Sequence, residues 1–539
     1  MVQTGKMDQE VFSMVLDTLK KLEKERIPLE TKLDMDSKGV FPHELIRFML
    51  GPEIALHLIF IPEEYGGLGA GAAEIAIVSE EMAKIDLAVA TSFLAICLGM
   101  DPIRVGATDV QKEKYIGKIA GEGLVVAYAV TEPDAGSNVQ SLKTKADRVL
   151  GDDGSVTGYK INGRKQFITN GGVADLYTIL ADTPSGPSFF IVEGGSEGLV
   201  PERHEDKHGI RASDTCALTL EDLYVPAENL VGGIEGQGLK QANKVFGYTR
   251  LMVATFGLGG GVAALERAVK YSKERTQFGT LLCEKQGYTH KLLVPHAVSL
   301  AAARAYIEMV AKRLDTVDDD LQVEGSIAKY FATEAGDAAA NDGIQAFGGY
   351  GYTREYEVEK IKRDVKILTI YEGTSEIQQN IISMFRMRDT VRSKGAYYEE
   401  MAKGLDELPD ECGGPVLAKS VRALNRMILE ARKNKLTKSQ HLMFLLADIM
   451  TWCEVGGAMC KKAAHYDESQ GSTSEYMNAV ARIFAGDVAE KAYINGSRIA
   501  RGFDKELAEI EPVLKSIDLG LAVKKRSRDM DSVAAELVR

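Results

Sequence analysis

Apolar positions along the first part of the chain recur at helical spacing: Val11 and Phe12, Val15 and Leu16, Leu19, Leu22. The same pattern returns at Ala72 to Ala83 and at Val89 to Leu98, so residues 1 to about 120 read as helical. The glycine-rich stretch Pro62–Gly71 between them does not fit GxGxxG and has no βαβ unit around it, so it reads as a helix-to-helix loop. From about Leu124 the texture changes to short β-branched or alternating segments: Leu124–Val130, Thr144–Val149, Gly158–Gly163, Leu176–Ala181, Ser188–Val192 and Cys216–Leu220. Turn signals such as Asp152-Asp153-Gly154 and Pro184-Ser185-Gly186 separate them. This predicts a middle β-domain, a small barrel or sandwich, that ends near Gly232-Gly233. Long helices return from about 236 to 395, with Gly257-Leu258-Gly259-Gly260-Gly261 inside one apolar helix, where glycine weakens the helix but permits close packing.

The acidic segment from Leu405 to Pro415 reads as a linker, and another helical region follows to Arg539. Here the chain echoes itself. Ser326-Ile327-Ala328-Lys329-Tyr330-Phe331-Ala332 resembles Ala479-Val480-Ala481-Arg482-Ile483-Phe484-Ala485, and Gly349-Tyr350 has its parallel in Gly502-Phe503. The second copy lacks a counterpart of Tyr371-Glu372-Gly373-Thr374, so it reads as a degenerate duplicate that packs without catalysing. The expected fold class is α+β, mostly α. Its domains are an N-terminal helical domain (1–120), a middle β-barrel-like domain (121–235), a helical bundle (236–395) and a helical extension (396–539).

Composition narrows the function. The 539 residues are too many for one compact core. A net charge of −13 argues against nucleic-acid binding, which needs a basic face. The basic run Lys524–Arg528 reads as solvated surface, with an anionic partner or peripheral membrane contact as the alternative. The six cysteines are scattered without a CxxC pair, so no metal site or disulfide framework is expected, and a reducing compartment fits. Met1 to Glu25 shows no secretory signal, and no apolar run reads as long enough to span a bilayer, so the expected location is cytoplasmic.

The candidate chemistry centres on Ile370-Tyr371-Glu372-Gly373-Thr374-Ser375-Glu376-Ile377-Gln378, one carboxylate in a short polar turn between apolar runs. The plainer reading is a helix start with Thr374 or Ser375 as N-cap. The segments Tyr128–Asn138 and Gly163–Gly172 each leave a strand for a polar turn, where hydroxyls and backbone N–H groups could grip a planar polar cofactor. Taken in order with Arg275-Thr276-Gln277-Phe278-Gly279, Gln345–Gly351 and the Glu372 stretch, they resemble the acyl-CoA dehydrogenase family over roughly residues 10 to 390. The extension resembles that of the family's very-long-chain branch.

The resemblance implies an FAD enzyme with a four-helix bundle as its third domain, the cofactor lying at the domain junction and across the interface of a homodimer or homotetramer. Glu372 matches the catalytic base. Some branches carry the base just before a family arginine instead; here that position is Thr249, ahead of Arg250. Tyr128, Val130, Thr131 and Ser137 should line flavin and thioester, and Phe167, Ile168 and Thr169 should flank the isoalloxazine. Arg275, Gln277, Phe278, Gln345, Gly348 and Gly349 should reach the diphosphate and adenosine side, partly from a second subunit, with Thr374 and Glu376 at the near edge. Ser137, Arg250, Leu94, Tyr371 and Gly373 should contact acyl-CoA. Phe167 stands where the family usually has tryptophan, and Gly247 where medium-chain members carry an acid. Thr91–Leu98 matches the helix closing the acyl pocket; it has no arginine, and Leu94 replaces a medium-chain acid, so a plain saturated chain is expected. The implied activity is α,β-dehydrogenation to a trans-2-enoyl-CoA, with Glu372 as a general base whose pKa burial should raise, and with electrons passed to an electron-transfer flavoprotein. The alternatives are an acyl-CoA oxidase or enoyl-CoA reductase on the same scaffold, or a non-catalytic flavoprotein or assembly factor.

Overall fold

The computed structural model describes residues 7–317, 321–503 and 507–539, without the side chains of residues 246–248 and 470. The chain divides into two compact units, Met1–Met252 with Ala311–Asp320, and Val253–Val310 with Leu321–Arg539. The expected mostly helical α+β fold is the observed one.

Among the described residues, unit 1 opens with six α-helices: α1 (Gln9–Glu25), α2 (Leu29–Lys38), α3 (His43–Leu50), α4 (Ala72–Ile85), α5 (Leu87–Gly106) and α6 (Asp109–Glu122). Their ends follow local rules. The Asp8 carboxylate caps α1 by accepting from the backbone N–H groups of Glu10 and Val11, and α6 begins with a Thr108–Gln111 capping box and ends at Gly123 in the left-handed region. Pro62–Gly71 is the expected connection between helices. Seven strands follow: β1 (Val126–Ala129), β2 (Lys145–Leu150), β3 (Val156–Thr169), β4 (Leu176–Thr183), β5 (Gly186–Glu193), β6 (Leu199–Pro201) and β7 (Thr215–Pro226). They form one mixed sheet in the order β1-β4-β2-β3-β7-β6, with β5 also paired to β4. Six of these strands sit on the predicted segments; β6, three residues at the sheet edge, carries too little alternation to be seen in advance. Helix α5 lies close against β1, because a Cβ on Gly99 would meet Val126 Cγ1 at 2.7 Å.

The long helix α7 (Gly238–Ser272) runs from unit 1 into unit 2. Unit 2 continues with a hairpin of β8 (Thr276–Gln277) and β9 (Thr280–Leu281), then α8 (Gln286–Leu292), α9 (Val294–Leu314, whose last turn belongs to unit 1), α10 (Gln322–Phe347), α11 (Glu357–Val365) and α12 (Ser375–Arg392). The glycines of α7 do what their position suggests. A Cβ on Gly257 would lie 2.7 Å from Thr333 Cα, and one on Gly261 would lie 2.8 Å from Gly336 Cα, so the α7 and α10 backbones nearly touch.

The rest of unit 2 is α13 (Ala396–Asp406), α14 (Gly414–Lys433), α15 (Gln440–Ala464), α16 (Ser474–Arg501), α17 (Glu511–Ser516), α18 (Leu519–Ala522) and α19 (Arg526–Leu537). The acidic segment 405–415 interrupts the helices as expected, yet it is packed: Leu405 and Cys412 are fully buried. Phe331 on α10 and Phe484 on α16, which occupy matching positions in the two echoed segments, meet edge-on with ring centroids 5.6 Å apart. One expectation is corrected. Among the described residues, α5, α7 and α15 are long and apolar enough to cross a membrane, but 83%, 78% and 72% of their apolar windows are buried inside the protein. Their apolar surface is covered by neighbouring helices and strands.

Candidate active site

In unit 1 the two strand-end motifs are tied to each other. Lys165, near the end of β3, is fully buried and donates from Nζ to Glu132 Oε1 at 2.7 Å and to the Val130 carbonyl at 3.1 Å. The Gln166 N–H donates to the Thr131 carbonyl at 2.9 Å. Glu132, also buried, accepts in addition from the backbone N–H groups of Lys143 and Thr144. Burial alone would raise the Glu132 carboxyl, but the Lys165 charge and these bonds hold it below its ordinary value. Burial pushes the Lys165 ammonium down to about 8 against the pull of Glu132.

The pairing of β3 with β7 runs from Lys165↔Leu218 to Ile168↔Cys216, three steps on one strand against two on the other. This bulge takes Phe167 into the left-handed region, φ 58°, and turns its ring outward, 64% exposed, while Ile168 beside it is buried. Tyr128, Thr131 and Thr169 are half-buried, Val130 is buried and Ser137 is exposed. On α5, Leu94 is buried, and Asn170 Nδ2, just past β3, donates to the Ser92 carbonyl of that helix at 2.9 Å. Thr249 and Arg250 are buried on α7, and the Thr249 hydroxyl donates to its own helix at Val245 O. The surroundings of Gly247 lie outside the described residues.

In unit 2 the Glu372 turn joins a short helical stretch, Lys366–Thr369, to α12. The plainer reading of this segment also holds, since Thr374 is the N-cap and accepts from the Ile377 N–H at 3.3 Å. Glu372 itself takes a left-handed φ of 54° and Gly373 one of 90°. Two buried side chains hold this conformation. Gln378 Nε2 donates to the carbonyls of Glu372 and Gly373, both at 3.0 Å, and Lys329 Nζ from α10 donates to Gly373 O at 2.8 Å. Ser375 Oγ donates to Glu334 Oε1 at 2.5 Å. Tyr371 is half-buried; Glu376 is exposed, and its own backbone N–H and the Thr374 hydroxyl hold its carboxyl below the usual value.

The remaining motifs gather at the other end of α10. Phe278 and Gly279 both have positive φ, as a tight two-residue hairpin turn needs, and Phe278 is 97% exposed. The Arg275 guanidinium lies 5.8 Å from the Tyr350 ring, and Tyr271 stacks on Phe347 at 4.2 Å, so 275–278 and 345–350 form one surface. Gln345, Gly348 and Gly349 are exposed there, and a Cβ on either glycine would meet nothing. Lys329 and Phe347 are eighteen residues apart on α10, about 27 Å of helix. The structure therefore joins the two unit 1 motifs, and separately joins the hairpin to the Gly-aromatic turn, but it does not bring that surface to Glu372 within unit 2. Sequence reasoning did not single out Lys165, Glu132, Lys329 or Gln378. The available signal was a lysine at an apolar position, as in Ile327-Ala328-Lys329, which must find a partner when buried.

Three family models match in order: the acyl-CoA dehydrogenase N-terminal domain at residues 9–122, the middle domain at 127–223 and the C-terminal domain at 236–386. The chain is 37% identical over 357 residues to the short-chain specific acyl-CoA dehydrogenase of Megasphaera elsdenii, covering 65% of this chain and 91% of that one. In fold it is similar to an acyl-CoA dehydrogenase complexed with FAD from Bacillus anthracis, with a TM-score of 0.84 at 24% identity, over 99% of this chain and 97% of that one. A structure described as an electron transferring flavoprotein of Acidaminococcus fermentans matches 70% of this chain and 97% of its own, with a TM-score of 0.65 and 34% identity. Close kinship over nearly the whole length of a curated relative, on top of three matching domains, makes this chain an FAD-dependent oxidoreductase of the acyl-CoA dehydrogenase family.

Proposed function

We propose that the protein converts a saturated acyl-CoA to the trans-2-enoyl-CoA and passes the electrons to an electron-transfer flavoprotein. The observation that carries this reading is the Glu372 turn: one carboxylate on a backbone held in an uncommon conformation by two buried donors. The residues present fit FAD. An outward-facing aromatic ring, Phe167, and a half-buried hydroxyl, Thr169, lie on one strand end tied to Thr131, a set suited to a planar heteroaromatic with polar edges. Tyr128, Val130, Thr131, Ser137, Ile168 and Thr169 would hold the ring system. Arg275, Gln277, Phe278, Gln345, Gly348 and Gly349 would hold the diphosphate and adenosine of a second copy's cofactor, a reading supported by their distance along α10 from Glu372.

When bound, FAD supplies the acceptor for the β-hydrogen, which leaves as hydride. The protein supplies the rest. Glu372 takes the α-proton, and its backbone N–H would donate to the thioester oxygen and stabilise the charge that develops there. Fixing the turn before substrate arrives removes the need to order it during reaction. Thr249, a hydroxyl bonded to its own helix, leaves Glu372 as the base. Leu94 and the apolar α5 suit an uncharged acyl tail. A cytoplasmic location is supported by six cysteines without a disulfide. Lys524, Lys525 and Arg528 form an exposed basic edge suited to peripheral contact with an anionic membrane surface.

The test is anaerobic addition of saturated acyl-CoAs of increasing length to the yellow protein. One length class should bleach the flavin band, and Glu372→Gln should keep FAD and abolish bleaching. Full bleaching by that variant, or none by the wild type, overturns the reading.

A further inference from the structure

One side chain of the helical extension bonds to both helices that hold the Glu372 turn. Lys329 and Gln378 hold the carbonyls of Glu372 and Gly373, and each is followed in sequence by a residue on the adjacent helix face, Tyr330 on α10 and Gln379 on α12. Both of these neighbours bond to the same atom. Tyr330 OH donates to Asp448 Oδ1 on α15 at 2.8 Å, Gln379 Nε2 donates to Asp448 Oδ1 at 2.8 Å, and Gln379 Nε2 lies 3.1 Å from Tyr330 OH. Asp448 lies outside residues 236–386, the part matched by the C-terminal domain model.

We propose that Asp448 is a positioning residue for the catalytic base. The inference rests on the reading of Glu372 as that base. Successive residues on a helix point about 100° apart, so fixing Tyr330 and Gln379 on one carboxylate oxygen fixes the rotation of α10 and α12 that aims Lys329 and Gln378 at the turn. Glu372 sits in a left-handed conformation that persists only while its surroundings over-determine it. Asp448 supplies the outer layer of that constraint. Other pairs join the extension to the bundle without touching this relay: Lys462 Nζ bonds both oxygens of Glu308 at 2.8 and 2.6 Å, and Arg386 bonds Glu454.

The experiment uses the full-length, FAD-loaded enzyme with an acyl-CoA that bleaches the wild type. Asp448→Ala should lower kcat by about tenfold with KM within about twofold, as expected when a base is loosened and substrate binding is untouched. The same variant should speed amide hydrogen exchange across Tyr371–Ile377 by about tenfold. Asp448→Asn keeps an acceptor oxygen and should restore both readouts. Lys462→Met cuts a different tie between bundle and extension and should change neither. Where Asp448→Ala fails to fold, Tyr330→Phe removes one arm of the relay and should give the same pattern at smaller size. Unchanged exchange in 371–377, failure of Asp448→Asn to rescue, or the same effect from Lys462→Met overturns the proposal. The exchange measurement needs no turnover, so a protein that oxidises no acyl-CoA refutes the functional reading alone.

Discussion

At the scale of single residues, the site depends on backbone conformations that side chains resist. Glu372 adopts a left-handed φ, which costs a non-glycine residue on the order of 1 kcal/mol, and the Gln378 amide and Lys329 ammonium compensate by satisfying the carbonyls that this turn exposes. Gly373 sits at φ 90°, and a Cβ there would come within 2.6 Å of Gln378 Nε2. Gly373→Ala therefore both strains the backbone and displaces the clamp. Its kcat should fall by roughly 100-fold, the penalty of a displacement near 1 Å, while flavin content stays near wild type. Steady-state kinetics beside the absorbance ratio of flavin to protein checks this. Phe167 follows the same logic from the other unit: a bulge, and not the strand pattern, turns its ring outward.

At the scale of elements, the two strand ends behave as one piece because the Lys165–Glu132 pair locks them. Removing one partner of such a buried pair costs about 3–5 kcal/mol, since the other charge stays buried. Glu132→Gln should therefore lower the thermal midpoint at pH 7. The sign of its pH dependence follows from the lowered Glu132 pKa. The folded protein binds fewer protons at this site than the unfolded chain, so the stabilisation is fully present above the ordinary value of 4.5 and is lost as pH falls through the folded value. The gap between wild type and Glu132→Gln should narrow below pH 4.5, and melting curves across that range check it. The elements themselves were largely legible in the sequence, since period and turn signals locate six of the seven sheet strands and the long helices. The bulge in β3 was not, because one extra residue against a partner strand exists only once the partner is known.

At the scale of the whole molecule, the extension is joined to the bundle by a buried polar centre. Glu454 on α15 accepts from Arg386 Nε at 2.7 Å and Nη2 at 2.9 Å, and from the hydroxyls of Tyr398 at 3.0 Å and Tyr306 at 3.4 Å. Burial works against the Arg386 charge, but Glu454 and its neighbours hold it firmly protonated. Glu454→Leu would leave that guanidinium short of its main partner, a loss of about 3–5 kcal/mol. A scanning calorimetry transition at least several degrees lower is expected, and an unchanged one would show that Arg386 finds other partners. The sequence by itself determined the helical and β regions, the five motifs and the place of Glu372, because periodicity, turn chemistry and motif order are local properties of the chain. It also showed the echo between 326–332 and 479–485. Only the tertiary structure decided which buried lysine meets which carbonyl, that Phe331 faces Phe484, and that Tyr330 and Gln379 both donate to Asp448. Those contacts join positions up to 153 residues apart, and nothing in a local pattern specifies which distant partner a buried polar group will find.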